Sequence, residues 1–178
     1  MTEKNNLFSV EVKTDLTENE INNINKIADE NSYKNGGKLF FIGIQPFDYV
    51  CLAKVNENVI GFSFLEKSFM SKNDLYILQS AVDNNYASKG VSSAMYDYIY
   101  SHSKDFDCIT CGVISNDNKA LKFYQNNGFI QLPHKTDFGF YLIKKANKDS
   151  LSIKNAKPQA YQFLNLKDFS NDNQGLEK

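Results

Sequence analysis

Apolar positions along this chain change their period several times, and each change marks an element. Leu7 to Lys13 alternates apolar and polar residues, the period of a half-buried strand. Thr17-Glu18-Asn19-Glu20 has the spacing of a capping box and predicts a helix start. Behind it, Ile21, Ile24, Ile27 and Ala28 fall on one helical face. Asn31 to Lys38 is polar and contains Gly, so it reads as loop. Leu39 to Ile44 is a short apolar run that suits a short helix or a strand equally. Val50 to Val55 and Val59 to Lys67 read as a hairpin turning at Asn56-Glu57-Asn58. Ser68 to Asp74 reads as loop, and Tyr76 to Val82 as a central strand.

The segment Asp83 to Met95 then turns that strand into a helix. Val91, Ala94, Met95, Tyr98 and Ile99 recur at helical spacing, with Ser92, Ser93, Asp97 and Ser101 on the other face. A strand that passes through a Gly-containing loop into a helix leaves several backbone N–H groups unpaired at the helix start. Those donors and the helix dipole favour phosphate. Gly90 lets a ligand approach the backbone closely, and Lys89 adds charge beside it. Strand–loop–helix with one Gly and one Lys is also common in α/β proteins that bind no phosphate. No GxGxxG and no GxxxxGK[ST] occurs, which excludes the usual dinucleotide and nucleoside triphosphate loops.

A second apolar run, Asp107 to Ile114, reads as another buried strand. Ser115-Asn116-Asp117-Asn118 supplies good N-cap residues for a helix over Lys119 to Asn127. Gly128 predicts a left-handed C-cap, Phe129 begins a strand, and Phe138 to Lys144 is a final core strand. Strands alternating with helices in this order give an α/β (mixed α+β) domain, a mixed sheet with helices on both faces.

Two of these segments, in this order, resemble the GNAT superfamily of N-acetyltransferases. The Tyr86 to Ser92 loop sits where that family places its coenzyme A diphosphate loop. Ala120-Leu121-Lys122-Phe123-Tyr124-Gln125-Asn126-Asn127-Gly128-Phe129 is similar to the family's A-x-x-F-Y-x-x-x-G-F signature. The resemblance spans roughly Phe8 to Lys144. It implies a mostly antiparallel central sheet and acetyl-coenzyme A as co-substrate without a metal. The implied reaction is transfer of acetyl to a primary amine by direct attack in a ternary complex. The alternative on the same scaffold is a non-catalytic coenzyme A-binding or protein-interaction module. Three positions depart from the family pattern: Ala87 replaces an Arg or Gln, Ser92 a Gly or Ala, and Asp117 an Asn. The backbone donors of the loop do not depend on those side chains.

The resemblance assigns roles residue by residue. Ala87, Ser88, Lys89, Gly90, Val91, Ser92 and Ser93 form the diphosphate loop. Ala81 and Val82 hold the pantetheine arm and polarise the thioester carbonyl through backbone groups. Lys119 and Lys122 lie on the phosphate side, and Asn116 either caps the second helix or touches the cofactor. Tyr124 is the general acid that protonates the departing thiolate. A phenol of ordinary pKa ~10 stands only modestly above a thiol of ~8.5. Glu66, Asp74 and His134 are candidates for the base, each equally readable as a surface residue.

Composition narrows the rest. A chain of 178 residues, 42% of them hydrophobic, can bury a core of its own. A formal net charge of −1 argues against nucleic acid as a partner. No apolar run approaches the ~20 residues of a membrane span, and the N-terminus lacks the apolar core of a signal peptide. Three cysteines do not form a disulfide framework, so the chain reads as cytoplasmic and reduced. Cys108 and Cys111 point to opposite faces of a strand and read as core, not as a metal pair.

The domain is expected over residues 1–146, followed by a polar extension over 147–178. Tyr161, Phe163, Leu164 and Leu166 form the apolar cluster of that extension. They read either as an added edge strand at 160–166 or as a contact with a neighbouring subunit, and the end from Ser170 reads as disordered. The resemblance implies a small-molecule or peptide amine as acceptor and leaves open which one. Phe40, Phe41, Phe47, Phe62 and Phe69 suit either an apolar acceptor pocket or the core. Monomer and homodimer are both open.

Overall fold

A computed structural model describes residues 6–34, 47–137 and 139–164. The predicted run Leu39 to Ile44, Phe40 and Phe41 within it, and the chain end from Ser170 lie outside the described residues.

The capping box forms as the sequence predicts. Glu20 N–H donates to the Thr17 hydroxyl at 3.3 Å, and Thr17 N–H donates to the Glu20 carboxylate at 2.8 Å. Helix α1, Glu18–Lys34, follows. Ile24, Ile27 and Ala28 are buried, whereas Ile21 is exposed, so the apolar face begins one turn later than expected. The helix also continues through Asn31, where the sequence suggests a loop. Asn31 Nδ2 donates back to Ile27 C=O at 2.8 Å and across to Val82 C=O at 3.1 Å. That tertiary bond outweighs the weak helix propensity of asparagine.

The strands are β1 (Leu7–Lys13), β2 (Tyr49–Val55), β3 (Asn58–Lys67), β4 (Asp74–Val82), β5 (Cys108–Ile114), β6 (Ile130–Lys135), β7 (Gly139–Lys145) and β8 (Gln159–Gln162). They form one sheet in the order β6-β7-β5-β4-β3-β2-β1-β8. Every pairing is antiparallel except β4 with β5. Helices α2 (Val91–Tyr100) and α3 (Asn118–Asn126) follow β4 and β5.

The apolar residues of α1 pack with Val50, Leu52, Phe62 and Phe64 against one face. Those of α2 and α3 pack with Val10, Cys51, Leu65, Leu75 and Ile109 against the other. The sheet is therefore covered on both sides, which accounts for the near-continuous burial of β2 and β3. The polar extension carries β8, which pairs with β1 from Leu7↔Gln162 to Val10↔Gln159.

Candidate functional site

Strands β4 and β5 share register from Asp74↔Cys108 to Ile77↔Cys111 and then part. Both continue well beyond that point, to Val82 and Ile114. A β-bulge sits at the parting: Phe64 pairs with Gln79 and Leu65 with Ile77, leaving Leu78 as the extra residue on β4. A bulge bends its strand, and here it turns β4 away from β5. Backbone groups past the bulge lose their partner on that side, the condition under which an extended ligand adds like a strand.

A cleft of about 630 Å³ opens over this notch. Ser63, Ile77 and Ser80 line it from the sheet, Met95 and Tyr96 from α2, and Tyr124 from α3. At one end lies the turn into α2. The Asp83 carboxylate accepts Asn85 N–H at 2.8 Å and starts a single 3-10 turn, Asn84–Tyr86. Ser88 (φ 61°) and Gly90 (φ 84°) then both take the left-handed conformation. The first bond of α2 runs from Ala94 N–H to Gly90 C=O at 3.0 Å. The N–H groups of Val91, Ser92 and Ser93 precede that bond and have no intrahelical acceptor. Three convergent donors at the positive end of a helix suit a diphosphate.

Tyr124 is placed by both ends of α3. Asp117 caps the N-terminus, its carboxylate accepting Ala120 N–H at 2.9 Å. At the other end Gly128 (φ 84°) closes a Schellman motif. Phe129 N–H donates to Tyr124 C=O at 3.1 Å, and Gly128 N–H to Gln125 C=O at 3.0 Å. Burial pushes the Tyr124 phenol well above its ordinary pKa, and Cys111 adds to the rise. A hydrogen bond with Ser80 works in the opposite direction. Ser80 pairs with Ser63 across the β3–β4 ladder, and their hydroxyls hydrogen-bond to each other. The phenol is thus a weaker acid than the modest gap expected from ordinary values.

Most of the residues singled out in the sequence meet at this cleft. Ala81, Val82, Ala87, Ser88, Gly90, Val91, Ser92, Ser93, Lys119 and Tyr124 all line it. Lys89 and Asn116 do not. The Lys89 ammonium turns back over the Tyr86 ring, 5.4 Å from its centroid. Asn116 is exposed, and the cap it was expected to make belongs to Asp117. Neither Lys122 nor any of Glu66, Asp74 and His134 reaches the cleft. Asp74 is fully buried and serves the loop before β4. It accepts Met70 N–H and Ser71 N–H, each at 3.1 Å, and the Thr110 hydroxyl at 2.5 Å.

Sequence reasoning missed Asn31, Ser63, Ser80, Asp117 and Leu164 as lining residues. Ser63 and Ser80 carried a signal: each is a hydroxyl in an otherwise apolar stretch of strand. On the α1 side of the sheet, Phe47, Phe62 and Phe64 form a tilted aromatic row with centroids 4.9 and 5.3 Å apart. Phe62 and Phe64 are buried there as core, while Phe69 is half exposed and stacks on Tyr76 at 4.2 Å. Gln79 Oε1 is buried with no hydrogen-bond partner among the described residues.

Cys51, Cys108 and Cys111 are free and buried. Among the described residues no cluster of His, Cys, Asp or Glu is placed to hold a metal, and no helix is long and apolar enough to cross a membrane.

A sheet notched between two parallel strands, with a helix N-terminus at one end of the notch, is the frame of an acyl-coenzyme A acetyltransferase. The sequence pattern of the acetyltransferase (GNAT) family matches residues 18–129. The chain belongs to that family, whose acyl donor is acetyl-coenzyme A. No curated protein matches the chain in sequence.

Solved structures share the fold at low identity. An acetyltransferase from Thermus thermophilus superposes with a TM-score of 0.65 at 11% identity, over 76% of this chain and 96% of that one. A GNAT-family acetyltransferase from Staphylococcus aureus gives 0.61 at 14% identity, over 78% and 99%. The PaiA N-acetyltransferase of Thermoplasma acidophilum, solved in complex with coenzyme A, gives 0.53 at 14% identity, over 76% and 98%.

Proposed function

We propose that this protein moves the acetyl group of acetyl-coenzyme A to a primary amine, by direct attack within a ternary complex. One observation carries the reading. A single cleft runs from the orphan N–H groups at the start of α2, past the parted strands, to the phenol of Tyr124. The N–H groups of Val91, Ser92 and Ser93 receive the diphosphate. Backbone of β4 beyond the bulge, where the β5 pairing has ended and Asn31 holds the Val82 C=O, receives the pantetheine arm and polarises the thioester carbonyl.

The amine nitrogen bonds to the carbonyl carbon, and the carbon–sulfur bond breaks. Tyr124 gives its phenolic proton to the departing sulfur, while the proton on the amine passes to water. Ser80, hydrogen-bonded to Ser63, lines the same cleft and offers its hydroxyl to the phenol oxygen as charge develops there. Among the described residues no Cys or His lines the cleft, so its serines have no imidazole to activate them and direct attack is favoured over an acyl-enzyme.

The rival reading is a coenzyme A-binding module without turnover. The lining favours it in one respect: among the described residues its only carboxylate is Asp117, which is engaged as a helix cap. Thiol release from acetyl-coenzyme A with a panel of amines separates the two. Release that requires both an amine and Tyr124 supports the transferase. Tight coenzyme A binding with no release on small amines, peptide N-termini or lysine peptides supports the module.

A further inference from the structure

The polar extension reaches back to the cleft. After β8, Phe163 N–H donates to Asn6 C=O at 3.0 Å, and the Phe163 ring packs between Phe8 (4.7 Å) and Tyr86 (5.5 Å). Tyr86 closes the 3-10 turn that leads into the α2 loop. One residue on, Leu164 N–H donates to Lys89 C=O at 3.0 Å. Its side chain lies over Gly90, where an added Cβ would meet Leu164 Cγ at 2.9 Å, and it lines the cleft. The matched family pattern ends at residue 129, well before this segment.

We propose that Phe163 and Leu164 are positioning residues for the cofactor: they brace the Tyr86–Val91 turn so that its N–H groups stay aimed into the cleft. This rests on the coenzyme A reading above. The turn needs a brace, because it holds a non-glycine residue, Ser88, at φ 61° shortly before Gly90 at φ 84°. Such backbone persists only where its surroundings over-determine it.

The contacts are of the right kind. Leu164 engages the carbonyl of Lys89, an acceptor, and so leaves the donors at the start of α2 free for an anion. Phe163 clamps the ring of Tyr86 rather than filling the space above Val91 to Ser93. A plug would occupy the donors; this segment holds the loop from its acceptor side. Leu164 adds an apolar wall where the extended ligand leaves the diphosphate site.

Calorimetric titration with coenzyme A tests this on the full chain. Phe163→Ala removes the ring clamp, and Leu164→Pro removes the N–H that reaches Lys89. Leu151→Ala, at an exposed residue in the same extension, is the control. The expected result is a dissociation constant about tenfold higher in both test variants, at unchanged stoichiometry and unchanged in the control. A merely structural role would lower the stoichiometry or the melting temperature and leave the dissociation constant alone. Equal affinity in wild type and variants overturns the brace, and tighter binding in the variants overturns it in favour of a plug. Wild-type protein that gives no heat with coenzyme A overturns the cofactor reading itself.

Discussion

Tyr124 and Phe129 are tied together twice: Phe129 N–H donates to Tyr124 C=O at 3.1 Å, and their rings meet edge to face at 5.1 Å. This is the backbone bond and the apolar contact of a Schellman cap, with Gly128 between them in the left-handed conformation. The cap that ends α3 therefore also sets where the phenol stands. Gly128→Ala meets no close neighbour, since an added Cβ would approach only the Lys144 side chain, at 3.6 Å. Its effect is backbone strain alone, about 1–2 kcal/mol. Urea denaturation is expected to show that loss, and turnover is expected to fall while coenzyme A affinity stays near wild type.

Tyr124→Phe keeps the ring packing and removes the proton. Coenzyme A binding is expected to survive, and turnover to fall at least about tenfold, a floor set below the ~100-fold usual for an acid–base group. Unchanged turnover removes Tyr124 from the chemistry.

The pH profile has a definite sign. A general acid works while protonated and fails as pH rises through its pKa. Burial holds the Tyr124 phenol above its ordinary value, so its titration is expected to produce no alkaline fall in rate up to about pH 10. A rate–pH curve of wild type with an alkaline limb near pH 8 that vanishes in Tyr124→Phe would contradict this.

Gly90 faces two constraints. Its φ of 84° disfavours any side chain, and an added Cβ would strike Leu164 Cγ at 2.9 Å. Gly90→Ala is expected to cost about 1–2 kcal/mol for the backbone, plus whatever Leu164 cannot yield. Leu164→Ala in the same chain is expected to recover only the second part. A double-mutant cycle by denaturant unfolding checks this, and full recovery would show the strain to be negligible.

At the opposite end of the sheet, Glu20 sits buried between Lys13 (2.8 Å) and Lys54 (2.5 Å). Burial acts to raise its pKa, but hydrogen bonds from Lys13, Lys54 and Thr17 N–H overcome this and hold it at about 2. A group depressed in the folded state contributes stability above its unfolded pKa and loses that contribution as pH falls through the folded one. The stabilisation is thus complete above about pH 4.5 and lost as pH falls from there to about 2, on the order of 3 kcal/mol. Glu20→Gln is expected to flatten the stability–pH curve in that window.

Local chemistry made much of this legible in advance. The capping box at Thr17, the left-handed Gly128 and the strand–loop–helix at Asp83 to Met95 each follow from residues close in sequence. What escaped depends on register or on distant segments. Ser63 and Ser80 face each other only because the bulge at Leu78 lies beyond them on the ladder. Asn116 and Asp117 are equally good caps, and the phase of α3 chose between them. The turn of Lys89 toward Tyr86 and the arrival of Leu164 over Gly90 are tertiary events with no local pattern.

A crystal structure with coenzyme A bound tests the central claim most directly. The expected result is a diphosphate on the N–H groups of Val91 to Ser93, the pantetheine arm in the gap between β4 and β5, and the sulfur within hydrogen-bonding reach of the Tyr124 oxygen. Coenzyme A bound elsewhere on the molecule, or a sulfur remote from that oxygen, would contradict it.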